Sequence, residues 1–155
     1  MGLYAMGIAE DAEGEAYNIV SNFWKYLADQ KWDLLKGLLD VDFEACWPQS
    51  REKMDAEGFV EVNKNYPGTH KIEVANMNHE YDCWDHGSTV ITQTYIKSKM
   101  PDDKIMELYA ISFFTIIHDE DGEKKITELI EYWADAYPPP DWRRQWVKIS
   151  DKRIM

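Results

Sequence analysis

The stretch KIMELYAISFFTIIHDEDGEKKITELIEYWAD, residues 104–135, is the part of the chain that decides the fold. Its two halves are rich in β-branched and aromatic residues, and Asp121-Gly122 lies between them, as in a hairpin turn. In the first half, period two places Ile111 and Phe113 on the face opposite to Phe114, so both faces are apolar. Helices can cover only one of these faces. We therefore predict that the open face pairs with a second copy of the chain, as a homodimer.

The rest of the chain divides into helices and strands by the spacing of its apolar residues. Helical spacing predicts helices over residues 15–29 and 31–39, and Asp55 predicts the N-cap of a third helix that runs to about residue 65. FEACW (43–47) predicts a first strand, and the polar QSREKM (49–54) predicts a loop. The predicted long strands are residues 70–82, 88–100, 104–118 and 124–135. The short turns between them force antiparallel neighbours.

Helices followed by a sheet give an α+β plan for a chain of 155 residues. We expect residues 1–12 to form a flexible N-terminal segment, residues 13–137 a single domain, and residues 138–155 a C-terminal tail. Pro138-Pro139-Pro140 cannot continue a strand ladder, so the sheet must end before them. We expect Trp142 and Trp146 to pack on the domain or on its partner, as a clamp or as a flap over a pocket mouth.

Charge and composition exclude several classes of function. The chain has 17 basic and 29 acidic residues, a formal net charge of −12, which disfavours nucleic acid and anionic membrane surfaces. No apolar run approaches the roughly 20 residues that span a bilayer. The first residues have no basic segment typical of a secretory signal. Two cysteines, Cys46 and Cys83, are expected to be reduced, so we predict a cytoplasmic protein.

Two stretches, WPQSREKMDAEGFVEVNKNYPG (47–68) and DGEKKITELIEYWAD (121–135), carry a family resemblance. With the order helix–helix–strand–helix–four strands, they resemble the SnoaL-like, polyketide cyclase-like branch of the nuclear transport factor 2-like superfamily. The resemblance implies a cystatin-like cone, in which a curved antiparallel sheet wraps on three N-terminal helices around an apolar pocket. Members include a steroid isomerase, a limonene epoxide hydrolase, a scytalone dehydratase and polyketide cyclases, and also non-catalytic binding or dimerising modules.

The same resemblance implies candidate catalytic acids on the last strand. In polyketide cyclases a terminal-strand acid is the general acid/base, and Glu131 and Asp135 match that strand here, although Ala134 interrupts the family's Glu-aromatic-aromatic-Asp order. Period two puts Glu131, Trp133 and Asp135 on one face. Burial in an aromatic pocket raises the pKa of a carboxyl group toward the range useful for proton transfer. The alternative is that both acids are solvated or paired with Arg143 or Arg144.

HEYDCWDH, residues 79–86, contains residue types that bind zinc. His79 and Cys83 lie about 13 Å apart by strand rise, too far for one ion, so we predict no metal site. His79 and Tyr81 share a strand face and are expected to line the pocket, with His79 as a proton donor or acceptor. Since the chain has no Gly-rich phosphate loop, no Gly-x-Ser-x-Gly and no Cys-x-x-Cys, we expect no cofactor.

Seven Trp and nine Tyr are more than packing requires, and aromatic residues are typical of ligand pockets. The predicted pocket-lining residues, each of which also fits a plain core, are Tyr17, Trp24, Trp47, Tyr66, Tyr81, Trp84, Tyr95, Phe113 and Trp133. Glu107 is a possible second interior acid or an edge residue. The sequence therefore predicts a protein that binds a small, mostly apolar molecule. It is either a cofactor-independent isomerase, cyclase, dehydratase or hydrolase using Glu131, or a non-catalytic ligand-binding or dimerisation module.

Overall fold

The computed structural model describes residues 2–82, 87–118 and 122–154, without the side chains of residues 2–12 and 82. The helices are α1 (Gly2–Ala28), α2 (Trp32–Gly37) and α3 (Ala56–Lys64), and a short 3-10 helix spans Asp141–Trp146. The strands are β1 (Leu39–Trp47), β2 (Glu52–Asp55), β3 (Thr69–Asp82), β4 (Gly87–Lys99), β5 (Ile105–His118) and β6 (Lys124–Asp135). The predicted α+β class is thus confirmed.

All six strands form one open sheet in the order β2-β1-β6-β5-β4-β3. Neighbouring strands are antiparallel except β1 and β6, which run parallel, with Leu39 beside Ile126 and Cys46 beside Ile130. The prediction of a wholly antiparallel sheet was therefore wrong at this one pair. The physical reason is that α3 and three long strands separate β1 from β6, so the chain has the long crossover that a parallel pair requires.

One face of the sheet, the inner face, is covered by α1 and α3. Phe23 of α1 contacts Phe114 of β5 at 4.9 Å between ring centroids and Phe59 of α3 at 5.8 Å. Val20 and Leu129 are fully buried in the same cluster. Large apolar side chains at helical spacing on α1 and at period two on β5 and β6 therefore meet in one core.

The predicted long strands agree closely with the observed ones, and so does the cap of α3. The Asp55 carboxylate accepts a hydrogen bond from the backbone N–H of Gly58 at 2.8 Å, as an N-cap residue should. The backbone of α1 begins at Gly2 instead of residue 15, so the helix includes the segment expected to be separate. The flexibility of residues 1–12 stays a prediction. No helix in the described part of the chain is long and apolar enough to span a membrane.

The prediction of a loop over residues 49–54 was wrong in its second half. Residues 52–55 form β2, which pairs with β1 in register from Glu44–Asp55 to Trp47–Glu52. This strand lies at the edge of the sheet and is mostly exposed on both faces, so it has no alternation of apolar and polar residues. Backbone pairing with β1 holds it, and Lys53 adds an exposed ion pair at 3.2 Å from Glu44 on β1.

The outer face of the sheet has apolar side chains in contact with solvent. Ile111 of β5 and Tyr132 of β6 are partners in register and are 43% and 46% exposed. Trp142 and Trp146 of the tail are 70% and 73% exposed, so within one chain they do not pack on the domain as expected. The tail meets the domain farther on, where Arg153 lies 4.0 Å from the Tyr95 ring centroid and pairs with a β3 glutamate. Packing of the two tryptophans on a partner stays a prediction.

Candidate functional site

A cavity of about 360 Å³ lies between the helices and the inner face of the sheet, at the end of the sheet where β5 begins and β6 ends. The walls are mainly aromatic and aliphatic. The lining residues are Trp24, Leu27, Trp47, Phe59, Val62, Asn63, Tyr66, His70, Ile96, Met106, Leu108, Ala110, Glu131, Trp133 and Asp135. Its size and its apolar walls with a few polar groups are typical of small-molecule sites.

Strand geometry explains why core residues give way to cavity residues along β6. Leu129 is fully buried, and the next inner-face positions are Glu131, Trp133 and Asp135. α1 ends at Ala28, so its last buried residue, Leu27, forms part of the cavity wall. The inner face of the sheet beyond this point has no α1 side chain above it, and the cavity occupies that space.

Glu131 is the acid nearest to the core. It lies directly opposite Ser112 of β5, whose hydroxyl donates a hydrogen bond to Oε2 at 2.6 Å. Burial raises the pKa of Glu131 above its ordinary value because the ionised form loses hydration. The hydrogen bond from Ser112 and the nearby indole N–H of Trp47 lower that pKa and so offset part of the effect of burial. The carboxyl group is therefore poised to exchange a proton within the cavity.

Trp47, at the end of β1, supplies a second polar group to the cavity wall. Its indole Nε1 is buried and has no hydrogen bond of normal geometry within the described part of the chain, although it lies near enough to Glu131 to lower the pKa of that carboxyl. A buried N–H group without a partner costs free energy. This N–H is thus available to a hydrogen-bond acceptor on a bound molecule.

His70, the first histidine of β3, lines the cavity and was missed by the sequence analysis. Its Nδ1 lies 2.7 Å from the hydroxyl oxygen of Ser98, and its ring contacts that of Tyr66 at 4.8 Å between centroids. Burial lowers the pKa of His70, because the charged imidazolium loses hydration, so the ring is neutral near pH 7. One signal in the sequence could have found it. His70 begins a predicted strand, beside a turn with an aromatic residue, and it lies two residues before Ile72, which contacts the core.

His79 lies at the other end of β3, away from the cavity. Nine residues separate it from His70, roughly 30 Å by strand rise. Its ring contacts Tyr17 of α1 at 5.8 Å, its Nε2 is buried without a hydrogen bond in the described residues, and burial lowers its pKa. Tyr81 lies two residues beyond His79, opposite the buried Ser88. The structure therefore does not bring His79, Tyr17 and Tyr81 together with Glu131.

Two other predicted lining residues lie on the outer face. Phe113 sits between the buried Ser112 and Phe114, so its side chain points away from the helices. The Tyr95 hydroxyl donates a hydrogen bond to Glu107, and these two residues lie beside the C-terminal tail instead of the cavity. Phe113, Tyr95 and the possible interior acid Glu107 are therefore outside the cavity that contains Trp24, Trp47, Tyr66 and Trp133.

Trp84 lies outside the described residues, and so do Cys83, Asp85 and His86, the residues of metal-binding type in a stretch where we predict no metal site. Among the residues that are described, no group of three or more His, Cys, Asp or Glu is placed to hold a metal ion. Cys46 is a free thiol.

Asp135 lines the cavity at the last position of β6, opposite Leu108, and its side chain is exposed. Within the described part of the chain, no salt bridge joins Asp135 or Glu131 to Arg143 or Arg144, and Arg144 pairs with Asp141 at 3.1 Å instead. No lysine or arginine belongs to the described cavity wall. The charges that face a bound molecule are therefore acidic.

No protein-family model matches the chain, and no curated protein matches it. Solved structures do. An NTF2-like protein with a cystatin-like fold from Novosphingobium aromaticivorans has a TM-score of 0.70 at 7% identity, over 84% of this chain and 86% of that one. A ketosteroid isomerase-like protein from Erwinia carotovora atroseptica has a TM-score of 0.63 at 8% identity, over 79% and 94%.

The association domain of C. elegans CaMKII is similar to the same extent. Its TM-score is 0.65 at 6% identity, and the match covers 79% of this chain and 95% of that domain. Identities this low establish fold and not activity. With the three helices, the six-stranded sheet and the cavity at its end, these likenesses confirm the fold that the sequence resemblance implied: the chain has the nuclear transport factor 2-like, cystatin-like fold.

Proposed function

We propose that the cavity binds a small, mostly apolar molecule. The observation that carries this proposal is a space of about 360 Å³ with aromatic walls and two unusual polar groups, the partly buried Glu131 carboxyl and the buried Trp47 N–H near it. A folded chain that only needed a core would gain stability by filling this space, since cavities and unpaired polar groups both cost free energy.

We further propose that Glu131 acts as a general acid/base in a cofactor-independent isomerase, cyclase or dehydratase reaction. A carboxyl with a raised pKa donates a proton to a carbonyl or hydroxyl oxygen and takes one back from carbon within a single turnover. Ser112 positions the carboxyl through its hydrogen bond. The neutral ring of His70 supplies a second hydrogen-bonding group on the β3 part of the wall, where Ser98 holds it.

Binding is tested by quenching of tryptophan fluorescence, because three cavity residues are Trp24, Trp47 and Trp133. We expect neutral aromatic or polyketide-like compounds to quench the wild-type protein and to raise its melting temperature. Val62→Trp, a substitution at a partly exposed lining position, should fill the cavity and abolish both effects. Val41→Trp places the same bulk at an exposed site on β1 and is the control. Equal responses from both variants would contradict a cavity site.

Catalysis is tested with Glu131→Gln, which keeps size and removes the titratable proton. We expect it to bind the same compounds but to lose at least about a hundredfold in turnover, the usual contribution of one general acid/base. Glu107→Gln makes the same change on the outer face of the sheet, and its turnover should equal that of the wild type. Unchanged turnover in the Glu131 variant would exclude the catalytic role and leave binding intact.

A second function is favoured by the outer face. Ile111 and Tyr132 expose apolar surface where the fold has no helix to cover it, and the similar CaMKII domain is named for association. We propose that two copies of this chain pair through that face as a homodimer. Dimerisation and ligand binding use opposite faces of the sheet, so the protein can do both, or can serve as a non-catalytic assembly module.

A further inference from the structure

We infer that the cavity selects organic cations, molecules with an apolar body and a protonated amine or quaternary ammonium end, over neutral and anionic molecules of the same shape. This inference rests on the proposed binding function and names its ligand class. It follows from the charge, the aromatic walls and the hydrogen-bonding groups of the cavity.

The charges around the cavity have one sign. Glu131 and Asp135 are its acidic lining residues, no lysine or arginine lies on the described wall, and His70 is neutral near pH 7 because burial lowers its pKa. The whole chain carries a formal net charge of −12. An anion entering this space meets repulsion from both carboxylates, whereas a cation is attracted by them.

The aromatic walls suit the same ligand. Indole and phenol rings attract cations through the negative faces of their π systems, and tryptophan does so most strongly. Trp24, Trp47, Trp133 and Tyr66 all line the cavity. The Trp24 ring is held in place because its N–H donates to the Thr92 hydroxyl at 3.3 Å in the buried interior. A ring that is already ordered loses little conformational entropy when a ligand binds.

A cation also completes the environment of Glu131. The carboxylate then has an opposite charge beside it, the hydroxyl of Ser112 at 2.6 Å and the indole N–H of Trp47 nearby. These partners compensate the ionised form for its lost hydration. A neutral alkyl group offers the Glu131 carboxylate no opposite charge, so it gains only from burial of apolar surface. Binding of a cation should therefore release a proton below the raised pKa of Glu131.

The test uses three ligands of similar size: benzyltrimethylammonium, its carbon isostere neopentylbenzene, and 3-phenylpropanoate. A space of about 360 Å³ equals roughly twelve liquid-water volumes of ~30 Å³, enough for a ligand of this size. Dissociation constants are measured by tryptophan fluorescence at pH 7.5. We expect benzyltrimethylammonium to bind at least about tenfold more tightly than neopentylbenzene, and the anion to bind most weakly.

Two variants identify the source of the preference. Glu131→Gln should reduce the cation-to-isostere ratio by about tenfold while leaving neopentylbenzene affinity unchanged, and Glu107→Gln on the outer face should leave the ratio as in the wild type. For the wild type, cation affinity should rise with pH as Glu131 ionises, whereas isostere affinity should not. Isostere binding equal to or tighter than cation binding would overturn the inference and leave the proposed cavity function standing. A different result would overturn the proposed function itself: none of the three ligands binds, and Val62→Trp does not change the response to the neutral compounds of the binding test.

Discussion

At the scale of single residues, the Glu131 carboxyl has the largest effect on the chemistry of the cavity. Its position opposite Ser112 gives it one good hydrogen bond, and burial raises its pKa because one hydrogen bond does not replace a hydration shell. The folded state thus binds a proton at Glu131 more readily than the unfolded chain does. This difference makes the residue visible in stability measurements, without any ligand.

Glu131→Gln should stabilise the protein at neutral pH. Since the folded-state pKa is raised, the stability that protonation provides is present below the ordinary carboxyl pKa and is lost as pH rises through the folded value. Above the folded-state pKa the wild type bears the cost of a partly desolvated charge at Glu131, which the variant lacks. We expect a gain on the order of 1 kcal/mol, a rise of roughly 2–4 °C in melting temperature. The gain should vanish near pH 4, and a loss of stability at pH 7 would refute this account.

His70 should titrate below the ordinary histidine value of about 6.5, because burial lowers its pKa. The sign for stability is opposite to that of Glu131. The contribution of neutral His70 is present above the unfolded pKa and is lost as pH falls through the folded one. A histidine ring titration by NMR, assigned with His70→Gln, measures it directly. His79→Gln identifies the signal of His79, the other histidine whose pKa burial lowers, so that it is not mistaken for His70. A His70 midpoint at or above about 6.5 would contradict the described burial.

The sequence alone predicted Glu131 as a cavity residue but did not predict His70. One β-bulge in β3 explains why His70 was missed. Period two predicts that His70 and His79 lie on opposite faces of β3, because nine residues separate them. The pairing of β3 with β4 shifts between Val74 and Asn76, which puts Met77 and His79 back on the inner face together with His70. A single strand cannot reveal such a bulge, since it depends on the pairing with its neighbour.

At the scale of elements, α3 supplies part of the cavity wall through Phe59 and Val62. The helix spans nine residues, too short to be stable alone, so its first turn depends on a cap. Asp55 provides that cap and was recognised from the sequence because Asp before a helical apolar pattern is a strong local signal. Local signals of this kind need no tertiary contact, which is why α3 and the long hairpins were predicted well.

Asp55→Ala should cost about 1 kcal/mol of stability, because it removes the acceptor for the Gly58 N–H. Urea denaturation followed by circular dichroism measures the change. Asp55→Asn keeps a side-chain oxygen at the cap position and should lose much less. If both substitutions have the same effect, the hydrogen bond is not what stabilises the helix.

The edge strand β2 and the parallel β1–β6 pair were not predictable from local pattern. β2 is exposed on both faces and so carries no hydrophobic alternation, and its partner is set by the hairpin turn before it. The β1–β6 pair joins residues 84 to 87 positions apart, from Leu39–Ile126 to Cys46–Ile130. Such pairing is decided by the closure of the whole sheet, so no short window of sequence contains it.

At the scale of the whole molecule, the sheet separates two surfaces. The inner face encloses the core and the cavity, and the outer face exposes Ile111 and Tyr132. The basic tail also has two mostly exposed side chains, Trp142 and Trp146. The apolar outer face was predicted from the sequence of β5. The location of the cavity at one end of the sheet followed from the family resemblance and not from the pattern of any single element. The reason is that this location depends on where helices stop relative to strands.

Ile111→Glu should convert a dimer to a monomer, because it puts a charge in the middle of the apolar outer face. Sedimentation velocity at micromolar concentration, together with a melting curve to confirm folding, measures the change. Val41→Glu places the same charge at an exposed apolar site on β1 and should leave the dimer intact. A wild-type protein that sediments as a monomer would end the dimer proposal without affecting the cavity.

Whether Glu131 is a desolvated acid in a ligand cavity can be measured by the pH titration of its carboxyl carbon with ¹³C NMR, with the resonance assigned by its loss in Glu131→Gln. Because burial at the base of the cavity raises the pKa of this group, we predict a midpoint clearly above the ordinary glutamate value of about 4.3. We also predict that benzyltrimethylammonium moves the midpoint down. A midpoint at or below the ordinary value in the free protein would place Glu131 in solvent and contradict a desolvated acid in a ligand cavity.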